Sequence, residues 1–234
     1  MDGCPLRFAF TMLRILAPIL LITLCGSAAR QAHRAPTPVE ATDASFPTIG
    51  PVVSVVSLLA TVDSDGHISE TKVLDSIGST SDGERYQGTL IGYVEDSIAA
   101  VKRWRFSPAI DSSSLKPTRS LTSISFLYDR VFGTGTILPI MRTRPAQSFN
   151  DMPPLPSKVW RADYPVNSIG IGTVVLKLRI EVSGSISDVE VIKSVPSLDE
   201  PSINAVRKWQ FQPARHDGKP VGSTTVVAFV FLPL

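Results

Sequence analysis

Residues 203–214 read INAVRKWQFQPA, and residues 98–109 read IAAVKRWRFSPA. In both stretches apolar residues recur at helical spacing up to a tryptophan, and Phe, Pro and Ala follow it. Each stretch therefore predicts an amphipathic helix that ends before the proline, because a proline cannot continue the backbone hydrogen bonds. Two such blocks in one chain indicate an internal repeat.

The repeat continues upstream of these blocks, where corresponding residues are 118 positions apart. The corresponding pairs are Phe46-Pro47 and Tyr164-Pro165, Val56 and Val174, Leu58 and Leu176, Ala60 and Leu178, Val62 and Ile180, Gly66 and Gly184, and Ser76 and Ser194. The tryptophan blocks are only 105 positions apart, so the first copy holds 13 extra residues, around Thr80 to Gly92. This order of shared residues predicts two tandem modules, the first of them diverged.

Each module predicts the element order strand, strand, helix, strand. In the second module apolar and polar residues alternate from Val174 to Ser183, which is typical of a strand with one buried face. Ser183-Gly184 predicts a turn into a second strand, Ile186 to Ile192. The two strands are therefore expected to form a hairpin.

The second half of the module predicts a helix and a last strand. Ser197 to Glu200 fits a capping box, with Pro201 in the first helical turn. Asp217-Gly218 predicts a turn before the last strand, Thr224 to Leu232. The fold class is therefore α+β, with each module a three-stranded antiparallel sheet under one helix. The tryptophan of each block is expected to fill the space between helix and sheet.

The first 29 residues differ from the rest and predict an export signal. The apolar run Ile15 to Leu24 follows Arg14 and precedes the small residues Gly26 to Ala29, as in a secretory signal peptide. It is about half as long as the roughly 20 residues that span a bilayer. Cleavage is therefore favoured, with an uncleaved anchor and lipidation of Cys25 as alternatives. We expect a protein of the periplasm or cell envelope, anchored to the inner membrane if the segment is retained.

Composition argues against several classes of function. The 234 residues are 43% apolar and 19% charged, as in ordinary globular proteins. The net charge of +2 provides no basic excess for nucleic acid. Both cysteines, Cys4 and Cys25, lie in the N-terminal segment, so the mature body has none for a disulfide or for the usual zinc sites.

The sequence shows no pattern for catalysis. His33, His67 and His216 lie in a predicted linker or in predicted turns, away from metal-ligand spacing. No nucleophile elbow or phosphate-binding loop is present. Gly170-Ile171-Gly172 precedes a strand, whereas a dinucleotide-binding loop follows one. We expect a protein that is not an enzyme and that needs no metal or cofactor.

Polar and proline-containing stretches mark the predicted boundaries. The organisation is a signal peptide or anchor at residues 1–29, a linker at 30–45, a first module at 46–128, a proline-containing linker at 129–158 and a second module at 159–234.

The second module resembles the C-terminal domain of TonB-type energy transducers. The residues that carry the resemblance are Tyr164-Pro165, Gly172-Thr173-Val174, Gly184, Val189-Glu190-Val191, Ser194, Ile203, Val206, Trp209-Gln210-Phe211-Gln212-Pro213-Ala214 and Gly218-Lys219-Pro220-Val221. The first module is more weakly similar, through Phe46-Pro47, Gly66, Trp104, Phe106 and Pro108-Ala109, and it lacks the glycine before Lys116-Pro117. We expect these motif residues to be structural.

The resemblance implies a periplasmic domain that grips an extended peptide of an outer-membrane TonB-dependent receptor. It also implies inner-membrane partners of the ExbB and ExbD type. In the family the last strand is the exposed edge that takes up the peptide, because free backbone N–H and C=O groups can pair with an added strand. That role maps onto Ser223, Thr224, Thr225, Val226, Val227, Ala228, Phe229, Val230 and Phe231. Val227, Phe229 and Phe231 are also expected to pack in the core.

Two features keep an alternative function open. A transducer needs a retained membrane helix, whereas the N-terminal segment favours cleavage. It also needs a long spacer, whereas residues 30–45 reach at most about 55 Å at roughly 3.4 Å per residue. The alternative is an exported adaptor that binds peptides with the same fold and without energy transduction. Pairing between the sheets of two chains would give a homodimer, which the sequence leaves open.

Overall fold

The computed structural model describes residues 35–48, 50, 53–80, 86, 88–130, 137–138, 152–165 and 167–232. These residues belong to one compact unit, His33–Leu234. The predicted signal segment, both cysteines and most of the stretch between the modules lie outside the described residues. Within the described part of the chain, no helix is long and apolar enough to cross a membrane.

Two halves of similar element order make up the described chain. The first half, residues 35–130, contains β1 (Thr37–Glu40), β2 (Val53–Val62), β3 (Ile68–Ser79), α1 (Ile91–Arg103), β4 (Arg105–Ser107), β5 (Ala109–Ile110), β6 (Pro117–Thr118) and β7 (Ser120–Asp129). The short β8 (Ile137–Leu138) follows. The second half, residues 152–232, contains β9 (Leu155–Trp160), β10 (Gly172–Ile180), β11 (Ile186–Lys193), α2 (Pro196–Val206), β12 (Gln210–Gln212), β13 (Ala214–His216), β14 (Lys219–Val221) and β15 (Ser223–Phe231).

One six-stranded sheet runs through both halves, in the order β11-β10-β15-β7-β2-β3. Each half supplies three antiparallel strands: β10 pairs with β11 and β15, and β2 pairs with β3 and β7. The prediction of an α+β fold is confirmed, but two sheets of three strands were expected and the structure joins them. We call the joined sheet the central sheet.

The join is a parallel pair between the last strands of the two halves. β15 lies beside β7, with Val226 opposite Ile124 at one end and Phe231 opposite Asp129 at the other. A parallel pair needs a long connection between its strands, and the chain between β7 and β15 includes the whole second half up to β15. The central sheet therefore places its two outer edges at β3 and β11.

The two helices lie over opposite faces of the central sheet, and each covers a separate core. On the α1 face, Tyr93, Ala100, Val101 and Trp104 pack with residues of β2 and β7. On the α2 face, the buried residues are Val159, Ala162, Val174, Leu176, Leu178, Ile180, Leu198, Ala205, Val206, Trp209, Phe211, Val227, Phe229 and Phe231, with others from the first half. Trp104 is 0% exposed and Trp209 is 2% exposed, in agreement with the core position expected from the sequence.

Each core includes residues from the opposite half. Val175, Val226, Ala228 and Val230 of the second half join the α1 core. Val53, Val55 and Leu127 of the first half join the α2 core. This exchange occurs because alternate residues of a strand point to opposite faces, so that near the join the side of each half not covered by its own helix is covered by the other half.

Corresponding contacts occur around the two tryptophans. The Trp104 indole N–H donates to the Thr42 carbonyl at 3.0 Å, and the Trp209 indole N–H donates to the Trp160 carbonyl at 2.8 Å. The accepting segments contain β1, which pairs with β4, and β9, which pairs with β12. Parts of both predicted linkers, 30–45 and 129–158, are therefore strands that support the tryptophans.

The start of α2 differs from the predicted capping box. The helix begins at Pro196, and the cap residue is Val195. Asp199 reaches back and accepts a hydrogen bond from the Val195 N–H at 2.8 Å, which satisfies one of the free donors at this end. Pro201 consequently lies inside the helix rather than in its first turn. The predicted box lies two residues too late: Asp199 reaches back to the N–H of the cap residue Val195, the role that the box gave to Glu200, and the cap side chain itself makes no hydrogen bond.

Candidate functional site

The strand predicted to bind a partner, Ser223–Phe231, has no free side in this structure. It is β15, which pairs with β10 along one side and with β7 along the other. Its side chains from Thr225 to Phe231 are buried. The prediction of an exposed edge at this strand is therefore wrong, because the last strand of the first half occupies that edge. Partner binding by Ser223–Phe231 stays a prediction.

Polar side chains inside the sheet form hydrogen bonds across the join and within the first half. The Ser123 and Thr225 hydroxyls lie 2.8 Å apart, and the Thr225 hydroxyl is also 3.0 Å from the Ser123 carbonyl. Ser57 and Ser125 form a similar pair at 2.9 Å between β2 and β7. Buried hydroxyls are costly unless they are hydrogen bonded, so these contacts favour one register over a slipped one.

A buried ion pair connects the halves on the α2 face. Arg161 Nε lies 2.6 Å from Asp129 Oδ2, and the two side chains are only 8% and 10% exposed. Arg161 follows β9 in the second half, whereas Asp129 ends β7 in the first half. The pair therefore closes the end of the β7–β15 join.

A second polar cluster connects the halves on the α1 face. Asp43 Oδ1 accepts hydrogen bonds from Lys193 Nζ at 2.6 Å and from the Thr173 backbone N–H at 2.7 Å. In return the Thr173 hydroxyl accepts from the Ala44 N–H at 3.1 Å. Partial burial raises the pKa of Asp43, but the hydrogen bonds and the charge of Lys193 outweigh this and hold the pKa below its ordinary value.

Sequence reasoning missed these two connections, although one signal for them exists. Asp43 and Arg161 are 118 positions apart and therefore correspond in the predicted repeat. One is acidic and the other basic, and each reaches a residue of opposite charge in the other half. A search for identical residues at aligned positions of the predicted repeat does not find this signal, because the two positions carry residues of opposite charge.

The outer edges of the central sheet are β3 and β11, and they are not equivalent. Along β3, the Tyr86 backbone N–H donates to the Gly78 carbonyl at 2.9 Å, so the chain after β3 already pairs with this edge. Among the described residues, β11 forms backbone pairs with β10 alone. Exposed backbone N–H and C=O groups of this kind are the chemistry by which a sheet accepts another strand. β11 is therefore the candidate binding edge.

The motif residues expected to be structural lie in the cores or in turns. Trp104, Phe106, Trp209 and Phe211 are all at most 4% exposed, and each tryptophan ring packs on the neighbouring phenylalanine. The Tyr164 hydroxyl donates to the Gly170 carbonyl at 2.8 Å. The remaining members are half-buried or lie in turns: Pro108, Pro165, Pro213 and Gly184.

Ionisable groups form no centre for catalysis or metal binding in the part of the chain that the structure describes. No group of three or more His, Cys, Asp or Glu side chains there is placed to hold a metal ion. His67 and His216 lie in hairpins, far along the chain from each other, and His33 lies outside the described residues. The groups that the described residues offer for binding are the backbone N–H and C=O groups along β11 and the side chains on its two faces.

Comparison with protein families finds a similarity in the second half. Residues 170–232 match the model of the Gram-negative bacterial TonB protein C-terminal domain. The matched residues include all of β10, β11, α2 and β15. The match supports the TonB family for this half, and it is consistent with a location in the cell envelope. No curated protein matches the chain.

Proposed function

We propose that this chain is an exported, periplasmic protein of the TonB family that binds an extended segment of an envelope partner. The observation that carries the proposal is the family match over residues 170–232, which coincides with a complete strand–strand–helix–strand unit. The proposed process is TonB-dependent transport across the outer membrane, in which the chain acts as the energy transducer or as its peptide-binding module. The proposed partners are an outer-membrane TonB-dependent receptor and inner-membrane proteins of the ExbB and ExbD type.

The first half is, on this proposal, a diverged copy of the same module. Three sets of contacts support a common origin. In both halves the tryptophan donates to a backbone carbonyl of the segment that precedes the hairpin. The hairpin glycines Gly66 and Gly184 both have φ +84° and accept a hydrogen bond from the phenylalanine after the tryptophan. The phenylalanines Phe126 and Phe229 pack on the two tryptophans at ring distances of 5.6 and 5.5 Å.

Partner binding through the backbone is consistent with the described residues. A sheet edge binds an extended peptide by main-chain hydrogen bonds and needs no reactive side chain. The first half would then brace the second half, because it covers β15 and completes both cores. If the second half binds the partner and the first half only supports it, the second half is expected to keep the family pattern and the first half is free to depart from it.

Capture from envelope extracts tests the proposal. The full chain, immobilised through a C-terminal tag, is expected to retain an outer-membrane transporter identified by mass spectrometry. A resin carrying an unrelated periplasmic protein is the control. Recovery of no outer-membrane transporter would overturn the proposed role in transport.

The form of the mature N-terminus separates the transducer from an adaptor. Intact-mass measurement of the protein purified from its native envelope is expected to show a retained or lipidated N-terminal segment if the chain couples directly to a membrane motor. A cleaved, unlipidated product contradicts that coupling and leaves peptide binding as the function.

A further inference from the structure

We infer that the outer side of β11 is the place where this chain takes up an extended partner segment, and that this segment alternates apolar and basic residues. The inference rests on the proposed function and assigns its site and its ligand chemistry. It places the binding edge on the second strand of the family-matched unit, on the opposite side of β10 from β15.

The two outer edges of the central sheet are occupied to different extents. β11 is eight residues long and ends the sheet, and no backbone hydrogen bond from another described segment reaches its outer side. At the other end of the sheet, the Tyr86 N–H donates to Gly78 of β3. Tyr86 belongs to the 13-residue stretch that only the first half contains. The insertion thus partly closes β3, whereas no described segment forms backbone hydrogen bonds with the corresponding edge of the second half.

The α2 face of β11 favours apolar ligand residues. Ile186 and Val189 pack against the α2 core and remain half-exposed. Val191 stands opposite Leu176, which belongs to that core, and it is 37% exposed. A strand added outside β11 would cover the open sides of these three residues, because directly opposed residues of neighbouring strands share a face.

The α1 face of β11 favours basic ligand residues. Asp188 and Glu190 are exposed there, and the Glu190 side chain keeps 54% exposure despite its ion pair with Lys177. The corresponding positions of β3 hold Glu70 and Lys72, which stand opposite Thr61 and Leu59 on the α2 face of the central sheet, so the equivalent surface of the first half carries charges of both signs. Opposite charges on directly opposed residues stabilise a strand pair, and like charges destabilise it. The acidic pair on β11 therefore selects for lysine or arginine at alternate ligand positions.

A designed octapeptide of alternating valine and lysine tests this assignment by calorimetry on the full chain. A valine–glutamate octapeptide and a valine–lysine octapeptide with N-methyl groups on alternate residues are the control ligands. We expect binding of the unmethylated valine–lysine peptide, with affinity lower by about tenfold or more for either control. Equal binding of the N-methylated peptide would overturn strand addition, and equal binding of the glutamate peptide would overturn the basic preference.

Two corresponding valines provide a matched pair of variants. Val191 on β11 and Val73 on β3 are 118 positions apart and have similar exposure, 37% and 40%. Both substitutions, Val191→Lys and Val73→Lys, add the same charge at an exposed position of an edge strand, and circular dichroism checks that each variant folds. We expect Val191→Lys to weaken peptide binding about tenfold and Val73→Lys to leave it unchanged. The reverse result, or equal weakening, would overturn the assignment to β11.

The two proposals fail in different ways. Capture of a transporter that is equally strong with the Val191→Lys chain leaves the proposed function standing and overturns the β11 site. Binding of the valine–lysine peptide at β11 without capture of any transporter overturns the role in transport and leaves the edge as a peptide-binding site of another kind.

Discussion

Single charged residues hold the two halves in place, and their environments differ. Arg161 and Asp129 form their ion pair where both side chains are almost fully buried. Asp43 and Lys193 form theirs at the surface, where the side chains are 58% and 24% exposed. Water screens the surface pair, whereas a buried charge without its partner has no compensation. The two pairs are therefore expected to respond differently to substitution.

Removing one member of the buried pair is expected to lower the stability of the folded chain strongly. Asp129→Asn removes the negative charge that lies 2.6 Å from the buried Arg161 Nε, and it should lower the free energy of unfolding by about 3 kcal/mol. Urea denaturation followed by circular dichroism measures this. The double substitution of Asp129→Leu and Arg161→Met removes both charges and should be much milder. A mild effect of Asp129→Asn alone would contradict the assignment of this pair as a structural link.

The Asp43 cluster is expected to make stability depend on pH. The pKa of Asp43 is lowered in the folded chain, so its contribution is fully present above the unfolded value of about 3.9 and is lost as the pH falls through the lower folded value. Stability of the wild type should therefore exceed that of Asp43→Asn at pH 6, and the difference should shrink steadily below pH 4. Urea midpoints of both proteins across this range check the trend. A difference that is constant with pH would contradict it.

At the scale of elements, each long hairpin depends on a glycine that touches the strand after the helix. Gly184 has φ +84°, and a Cβ there would lie 2.0 Å from the Phe211 carbonyl oxygen. The same arrangement holds for Gly66 and Phe106. The turn is therefore fixed against the segment that carries the aromatic core, so that hairpin and helix end cannot move independently.

Gly184→Ala is expected to be far more destabilising than the same change at Gly218. Gly218 also has positive φ, +73°, but a Cβ added there would have no other atom within 4 Å. Gly218→Ala should cost about 1 kcal/mol, from the backbone alone, whereas Gly184→Ala adds a clash and should cost about 3 kcal/mol. Thermal denaturation of both variants measures the difference. Equal costs would show that the contact with Phe211 relaxes freely.

The elements that the sequence predicted are those with strong local signals. Alternation identified β10 and β11, helical spacing before Trp209 identified α2, and Asp217-Gly218 identified the turn between β13 and β14, where both residues have positive φ. The short strands β1 and β9 have no such periodicity, and they exist because their backbones pair with the segments after the tryptophans. The β7–β15 join was missed for a different reason: alternation shows which face of a strand is buried but does not show which strand lies beside it.

At the scale of the whole molecule, the shared cores predict cooperative unfolding of both halves. Trp104→Ala removes a fully buried side chain from the α1 core and should cost about 3–5 kcal/mol. Because Val226 and Ala228 of β15 belong to the same core, hydrogen exchange should accelerate in the second half as well as in the first. Exchange measured by mass spectrometry on peptides from β2 and β10 checks this.

The control for this prediction is Leu121→Ala, which removes a leucine of β7 that is 60% exposed. It should leave exchange in both halves nearly unchanged. Acceleration confined to the first half in Trp104→Ala would show that the halves unfold separately.

The link at Asp43 also sets the path that a mechanical load would follow through the molecule. Tension applied between residue 35 and a strand held on β11 would first act on the pairing of β1 with β4. After separation of β1 from β4, part of the load would pass from Asp43 directly to Lys193 and Thr173, at the end of β11 and the start of β10. This path does not cross the β7–β15 join. The Asp43 carboxylate is thus a direct mechanical link between the N-terminal segment and the second half, separate from the β7–β15 join.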